Sequence, residues 1–473
     1  MMLAVALFIS ACVFAVLSIG AATAFSVWLR RQATRLDHIC HDQGLERHAS
    51  APITSRPLYS PEAVVILCVR GHDPYLADTI RALARQDYSN YRVLIVVDHR
   101  LDPAWHVVFS IKQELGLNDL QLELQELRLR HAHCGLKCSA LVQALESLAS
   151  DVDADRIIVT IDSDAVPEPT WLANLLQPMA DGSVGATTSN QWFEPGTLSL
   201  GSWVRAVWQA GAIVPTAMLG NPWAGSCAIR HSDILNSGLM DDWRTSIIDD
   251  GPVRENLQRL GKRIEFVPQN LVINREDCSL DFCFRYVARM LTWSRLFEST
   301  FWITGVHALV TSALQVSVVL WCLGSLVAVV LVPSVEPLWS RVLVPFTAVT
   351  FLLLGQVAGY LIVRQAVMRT SLTGSRLRSQ NLARRYAPLS WVTRLFLVML
   401  AVPMATTAYA WGCLKALRVK RVVWRNITYD VENGRQIQAA DRDAESLIEQ
   451  FGPDPGFAHI QLIVAEAGGL VVD

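Results

Sequence analysis

Two carboxylates one residue apart, Asp162 and Asp164, follow the run Arg156-Ile157-Ile158-Val159-Thr160-Ile161. A short β-branched run reads as a buried parallel strand, and side chains at its carboxyl end face the crevice where ligands bind. Two carboxylates there repel one another and lose hydration unless a cation neutralises them. A hard divalent ion carrying substrate phosphates through one or two carboxylates is one answer. A strand running into a polar turn is the other, since Asp and Ser are ordinary turn residues. Asp-Ser-Asp alone does not decide between them.

Other charges sit in similar places. Asp98 closes the apolar run Tyr91-Arg92-Val93-Leu94-Ile95-Val96-Val97, and Asp249 and Asp250 follow Ile247-Ile248 and precede Gly251-Pro252. Lys137 opens the helical pattern before the Asp162 strand, where a cation could meet a phosphate. Each is singly an ordinary loop charge. Their common placement at the ends of apolar runs points to one site.

The elements that would hold these residues alternate in type. Ala63–Val69 and Tyr91–Val97 predict buried strands, and Asp73 and Pro74 open a helix through about residue 85. A helix and a third strand fall within 105–130, a helix covers 136–149, and the Asp162 strand covers 156–161. Alternating strands and helices predict an α/β domain with a mostly parallel sheet. No Gly-x-Gly-x-x-Gly turn follows the first strand, which disfavours a dinucleotide-binding oxidoreductase.

Composition places this domain beside a membrane. Of 473 residues, 52% are hydrophobic and only 18% charged, and the mean hydropathy is positive. The excess lies in blocks at 2–28, 303–332, 342–363 and 395–413, each about the ~20 residues a helix needs to cross a bilayer. The first block is too long for a cleaved leader and lacks basic residues ahead of it, so it reads as an anchor. Arg30, Arg31 and Arg35 then place the downstream side in the cytoplasm by the positive-inside rule. The ten cysteines show no paired framework, which fits a reducing compartment. A net charge of −2 gives no sign of a nucleic-acid partner. The arginines Arg364, Arg369, Arg376, Arg378, Arg384 and Arg385 gather beside an apolar block, where anionic headgroups attract them.

Taken in order, these residues resemble the family 2 glycosyltransferases, and among them the ceramide glucosyltransferase-like membrane enzymes. The matching set is Asp98, Lys137 in Cys134-Gly135-Leu136-Lys137-Cys138, Asp162-Ser163-Asp164, Trp223-Ala224-Gly225-Ser226-Cys227, Asp249-Asp250 and Arg289-Met290-Leu291-Thr292-Trp293-Ser294-Arg295. The resemblance covers about 61–300. It implies a GT-A fold (Rossmann-like, mostly parallel) between N-terminal and C-terminal transmembrane helices, and a nucleotide-diphosphate sugar donor. By the same resemblance, Asp98, Lys137 and Asp162 face the nucleotide sugar with Arg289 and Trp293. Asp164 binds Mn²⁺ or Mg²⁺, and Asp250 is the general base of an inverting displacement. Asp249, the first acid of its pair, and Arg295 are candidates without a fixed role.

The sequence departs from the family pattern at Thr292, which stands where an arginine before the tryptophan is expected. A guanidinium there would suit the diphosphate through its fork of donors. Arg285, Arg289 or Arg295, a helical turn away, are the candidates to replace it. His131, His133, Cys134 and Cys138 match no standard zinc spacing and flank the Lys137 helix. Trp192, Trp203, Trp208 and Trp223 read as core, with a wall for a sugar ring or lipid chain as the alternative.

The expected domains are an anchor at 1–30, a linker at 31–60 and the GT-A domain at 61–275. Amphipathic interfacial helices follow at 276–300, then a transmembrane region of about three segments at 301–415 and a polar tail at 416–473. Basic residues on both sides of 395–413, with Pro403 inside it, conflict with a simple last span and allow a tilted or re-entrant segment. The tail contains Trp424-Arg425-Asn426-Ile427-Thr428-Tyr429, similar to a Trp-Arg-Gly-x-x-Tyr element of bacterial relatives, with no catalytic role assigned. A membrane-docked domain implies a lipid acceptor and transfer of a single sugar. A processive polysaccharide synthase is the rival enzyme, and a nucleotide- or lipid-binding member without catalysis is the rival class.

Overall fold

The structure is a computed structural model that describes residues 2–42, 59–71, 73–131, 133–148, 155–331, 337–372, 389–424, 427–431 and 438–439. Most of the expected linker, the arginines Arg376, Arg378, Arg384 and Arg385, and most of the tail lie outside the described residues. The chain begins with α1 (Met2–Asp42). It then alternates through β1 (Ala63–Val69), α2 (Leu76–Leu83), β2 (Tyr91–Val97), α3 (Pro103–Glu114), β3 (Leu122–Glu126), α4 (Leu136–Leu148), β4 (Ile157–Ile161), α5 (Trp171–Leu176) and β5 (Val184–Thr188). Next come β6 (Gln191–Phe193), α6 (Leu200–Leu219), β7 (Ser226–Arg230), α7 (His231–Ser237), α8 (Leu239–Trp243), α9 (Val253–Arg259), β8 (Arg263–Phe266) and β9 (Val272–Asn274). Four longer helices follow: α10 (Leu280–Phe297), α11 (Phe301–Leu331), α12 (Leu338–Leu372) and α13 (Trp391–Ala416). Three short strands, β10 (Arg421–Trp424), β11 (Ile427–Asp430) and β12 (Gln438–Ala439), come last.

These elements form two compact units. One contains Met1–Ala33, Gln191–Met218 and Ile273–Arg418, and the other Thr34–Asn190, Leu219–Val272 and Val419–Asp473. The second unit is built on a seven-stranded sheet in the order β3-β2-β1-β4-β7-β5-β8. It is parallel except where β7 runs antiparallel between β4 and β5. Both faces are covered, so the central strands β1, β2 and β4 are largely continuous apolar runs instead of alternating. Val65 and Leu67 of β1 pack with Leu76, Ile80 and Leu172 in one core. Val64 and Ile66 pack with Leu141, Leu145 and Trp243 in another. Each such aliphatic burial is worth about 1.5–3 kcal/mol against chain entropy, which explains why β-branched runs settle in the central strands.

The first unit holds four helices long and apolar enough to cross a membrane, Met2–His38, Phe301–Leu331, Ser340–Thr370 and Trp391–Ala416. Small residues let their backbones approach, as lipid-embedded helices require. A Cβ on Gly355 would lie 2.5 Å from the Cβ of Ala15 and 2.6 Å from its Cα, so α12 and α1 meet there with only the small Ala15 side chain between them. Near one end of this bundle, the buried Glu194 accepts hydrogen bonds from Arg364 of α12, Arg394 of α13 (3.1 Å) and Trp192 Nε1 (3.2 Å). A buried carboxylate needs such complete pairing, and the pairing ties the β6 loop to two helices.

Candidate active site

The sheet brings several strand ends into one corner. Asp162 and Asp164 follow β4, where the turn is closed by the Ala165 N–H donating to Asp162 O at 3.1 Å. Ser163 donates to Asp73 Oδ2 at 2.7 Å, and Thr79 donates to the Ser163 carbonyl at 2.7 Å. The β1–α2 connection thus fixes the acid pair. Asp162 is partly buried, whereas Asp164 is exposed and faces solvent.

Lys137, in the first turn of α4, reaches Asp162 Oδ1 at 2.6 Å and Asp249 Oδ2 at 2.9 Å. Burial alone would depress its ammonium pKa, but the two carboxylates more than reverse that, so the pKa lies well above the usual lysine value. Asp250 is placed differently. Loss of water raises its carboxyl pKa, Asp249 and Asp162 raise it further, and Lys137 with the Ala224 N–H pulls it down, leaving it at about 7. Of two adjacent acids, Asp249 is the one paired with the lysine, and Asp250 is held where it can exchange a proton near neutrality.

Two glycines make this packing sterically feasible. A Cβ on Gly225 would lie 2.1 Å from the Trp223 ring and 2.5 Å from Asp162 Oδ2, so the tryptophan folds back beside the acid. A Cβ on Gly135 would lie 2.2 Å from the Ile247 carbonyl oxygen, and the Gly135 N–H donates to Ser246 O at 2.8 Å. The start of α4 therefore lies directly against the segment that carries Asp249 and Asp250. Trp243 Nε1 holds that segment by donating to Asp249 O at 2.7 Å.

Asp98 is buried after β2, paired with Arg70 and with Arg130 Nη2 at 2.9 Å. The sequence reading missed both arginines. The strand-end rule that picked out Asp98 applies equally to Arg70, which directly follows β1. Cys134 and Cys138 are buried in the α4 core, and burial pushes the Cys138 thiol up. Trp192 and Trp203 are buried core residues, as expected, whereas Trp223 lies at the acid corner.

Arg289, Thr292, Trp293 and Arg295 lie on α10, in the unit that holds the membrane helices. Ser279 caps this helix by accepting from the Phe282 N–H at 3.1 Å. Thr292 is buried with Cys283, Val287, Ala288 and Leu291, and its hydroxyl donates to Ala288 O at 2.8 Å. It is a packing position. Arg285 pairs with Asp281 at 2.5 Å, and the Arg289 guanidinium lies 5.8 Å from the centre of the Tyr286 ring.

Among the described residues, no three His, Cys, Asp or Glu side chains converge as a metal cage. The corner nevertheless fits a divalent ion. Asp162, Asp249 and Asp250 face a single ammonium, with Asp164 exposed beside them. Mg²⁺ and Mn²⁺ are commonly held by one carboxylate with substrate phosphates, which requires no preformed cage.

A mixed α/β sheet with carboxylates and a lysine gathered at its strand ends is thus joined in one chain to helices long and apolar enough to cross a membrane. The chain belongs to glycosyl transferase family 21, whose sequence profile matches residues 32–437. It is a glycosyltransferase built on a mostly parallel α/β sheet, and the ceramide glucosyltransferase-like resemblance is consistent with this family. Mannosyltransferase PcManGT from Pyrobaculum calidifontis, in complex with GDP-Man and Mn²⁺, is similar at 17% identity and a TM-score of 0.38, over 85% of this chain and 99% of that one. Glucosyl-3-phosphoglycerate synthase of M. tuberculosis is similar at 16% identity and a TM-score of 0.33, over 49% of this chain and 80% of that one. No curated protein matches the sequence.

Proposed function

We propose that this protein moves one sugar from a nucleotide-diphosphate sugar to a hydroxyl of a membrane lipid, with inversion and with Asp250 as general base. The observation that carries this reading is the unequal treatment of the adjacent acids: Asp249 is paired with Lys137, while the Asp250 carboxyl is raised to about 7. A base with that pKa, within hydrogen-bond reach of a lipid hydroxyl, takes its proton as the oxygen attacks the anomeric carbon. Asp98 and Asp162 face the nucleotide, and Lys137 meets the phosphates. Asp164 would hold Mn²⁺ or Mg²⁺, which when bound would offset the negative charge of the diphosphate.

Purified protein given a divalent ion, a panel of nucleotide sugars and a membrane lipid extract should release nucleoside diphosphate and form a glycolipid. Long glycan products would replace this reading with a processive synthase. Nucleotide binding without turnover on any lipid would favour a non-catalytic member, a reading supported by Thr292, whose buried hydroxyl offers no donor to a phosphate.

We infer that the catalytic sheet lies in the cytoplasm, since Arg30, Arg31 and Arg35 follow the first apolar block. The described tail strands β10–β12 belong to the same compact unit as the sheet. A chain that returns to the side it left crosses an even number of times, so α11, α12 and α13 cannot all be full spans. Helix α13 is the exception. Arg394 near its start binds Glu194, which also binds Arg364. Tyr409 near its end donates to the carbonyl of Thr304 at the start of α11, and Gly412 lies against Leu291 and Val287 of α10. Both ends of α13 thus meet the same end of the bundle. Its middle meets the middle of α11, where Gln315 Nε2 donates to Pro403 O at 3.1 Å, so the helix enters the bundle and returns without crossing it, bent at Pro403. A protease-cleavable C-terminal tag in sealed inside-out vesicles should be cut, and a reporter placed between α11 and α12 should be protected. A protected tag would restore the third crossing.

A further inference from the structure

Helix α4 begins without a cap of its own. The first turn of a helix leaves N–H groups that need an outside acceptor, ordinarily the side chain of the preceding Ser, Thr, Asp or Asn. The residue before α4 is Gly135, and no capping side chain fits there, because the Ile247 carbonyl oxygen occupies the position of its Cβ. The acceptor comes from the far end of the chain instead. The Leu136 N–H donates to the phenol oxygen of Tyr429 at 3.2 Å, across 293 residues of sequence.

Tyr429 is buried at 1% exposure on β11, the middle strand of the small antiparallel sheet β10-β11-β12. It is paired with Val422 on one side and Ala439 on the other, and the Val431 N–H donates to Lys420 O at 2.7 Å to close the hairpin. Leu136 directly precedes Lys137, the cation shared by Asp162 and Asp249. The start of α4 is held on one side by the Ser246–Ile247 backbone and on another by this phenol. A buried tyrosine commonly finds some partner for its hydroxyl. Here the partner is the residue next to the lysine of the site.

We propose that Tyr429 is a positioning residue for donor binding: its hydroxyl caps α4 and so sets the Lys137 ammonium where it meets the donor diphosphate. The described tail strands are then part of the donor site, acting through Leu136 and not by contact with the substrate. This rests on the donor-site reading above, and the test separates the two.

The full-length protein carrying Tyr429→Phe keeps the ring and loses only the acceptor oxygen. One hydrogen bond contributes modestly, so the KM for the nucleotide sugar should rise about 3–10-fold. The kcat should stay within about twofold and the acceptor KM should not move. In a Lys137→Gln background the same substitution should add almost nothing, because the hydroxyl acts through the lysine. An unchanged donor KM in Tyr429→Phe, or an equal further rise in the Lys137→Gln background, would overturn the proposal. If Lys137→Gln itself leaves the donor KM unchanged, it is the donor-site reading that fails. A tail that serves only stability would lower the melting temperature and leave both KM values in place, which also overturns the proposal.

Discussion

Asp250→Asn should lower the transfer rate by about 10²–10⁴-fold, the usual contribution of a positioned general base, and leave nucleotide binding nearly intact. Asparagine keeps the size of the side chain and still accepts the Ala224 N–H through its amide oxygen, so the loss comes from the proton-accepting oxygen alone. Two further readouts follow from the raised pKa. In the native protein, kcat/KM should rise with pH until the carboxyl is ionised near about 7 and then level off, since the base acts only as carboxylate. That limb should vanish in the variant. Stability should move the other way. A carboxyl whose folded-state pKa exceeds its unfolded value favours the fold while protonated and loses that contribution as pH rises through about 7. At pH 8 the native protein ionises Asp250 beside Asp249 and Asp162, and the variant does not. A melting temperature at pH 8 that is unchanged or higher in Asp250→Asn, with transfer abolished, would separate lost chemistry from lost folding. Transfer that persists in the variant would remove Asp250 as the base.

The legible part of the molecule was the part in which local pattern and tertiary role coincide. β1 and β2 occupy the residues their apolar runs marked, because strands buried on both faces need continuous apolar sequence. Asp98, Asp162 and Asp250 stand at ends of apolar runs, where polarity changes abruptly and the crevice begins. Strand β7 was not read from the sequence, since an antiparallel insertion in a parallel sheet depends on pairing with β4 and β5 across long loops. The difference in pairing between Asp249 and Asp250 is not legible in the sequence. Its physical basis is the reach of Lys137 from α4, a distance that sequence spacing does not encode. Arg70 and Arg130 carry no local signal of their pairing, which follows only from the burial of Asp98, whose charge needs cations beside it. Tyr429 lay in plain view in the Trp424–Tyr429 element. Its contact with Leu136 spans nearly the whole catalytic region and all the later helices, and no local pattern carries such a pairing.

Lys137→Met should harm both the fold and donor binding, and it should move the pH dependence in a direction fixed by the site. Methionine keeps the length of the side chain and removes the charge, so Asp249 and Asp162 lose the cation between them. Removing one partner of a buried pair costs about 3–5 kcal/mol, and the lower end applies here because Asp162 remains about a third exposed. Within the pH range of an assay this loss should be constant. The folded-state pKa of the lysine lies above its ordinary value, so its contribution is complete below about 10 and fades only as pH rises through that higher value. The effect on Asp250 differs. Lys137 is the charge that lowers its carboxyl pKa, so without the ammonium the ascending limb of kcat/KM should shift to higher pH. Thermal melts, nucleoside-diphosphate titrations with Mn²⁺ and pH profiles of residual transfer test the three expectations together. A variant with weaker donor binding and an unshifted limb would separate Lys137 electrically from Asp250. A shifted limb with unchanged donor affinity would confine the lysine to holding Asp162 and Asp249 together, with no role at the phosphates.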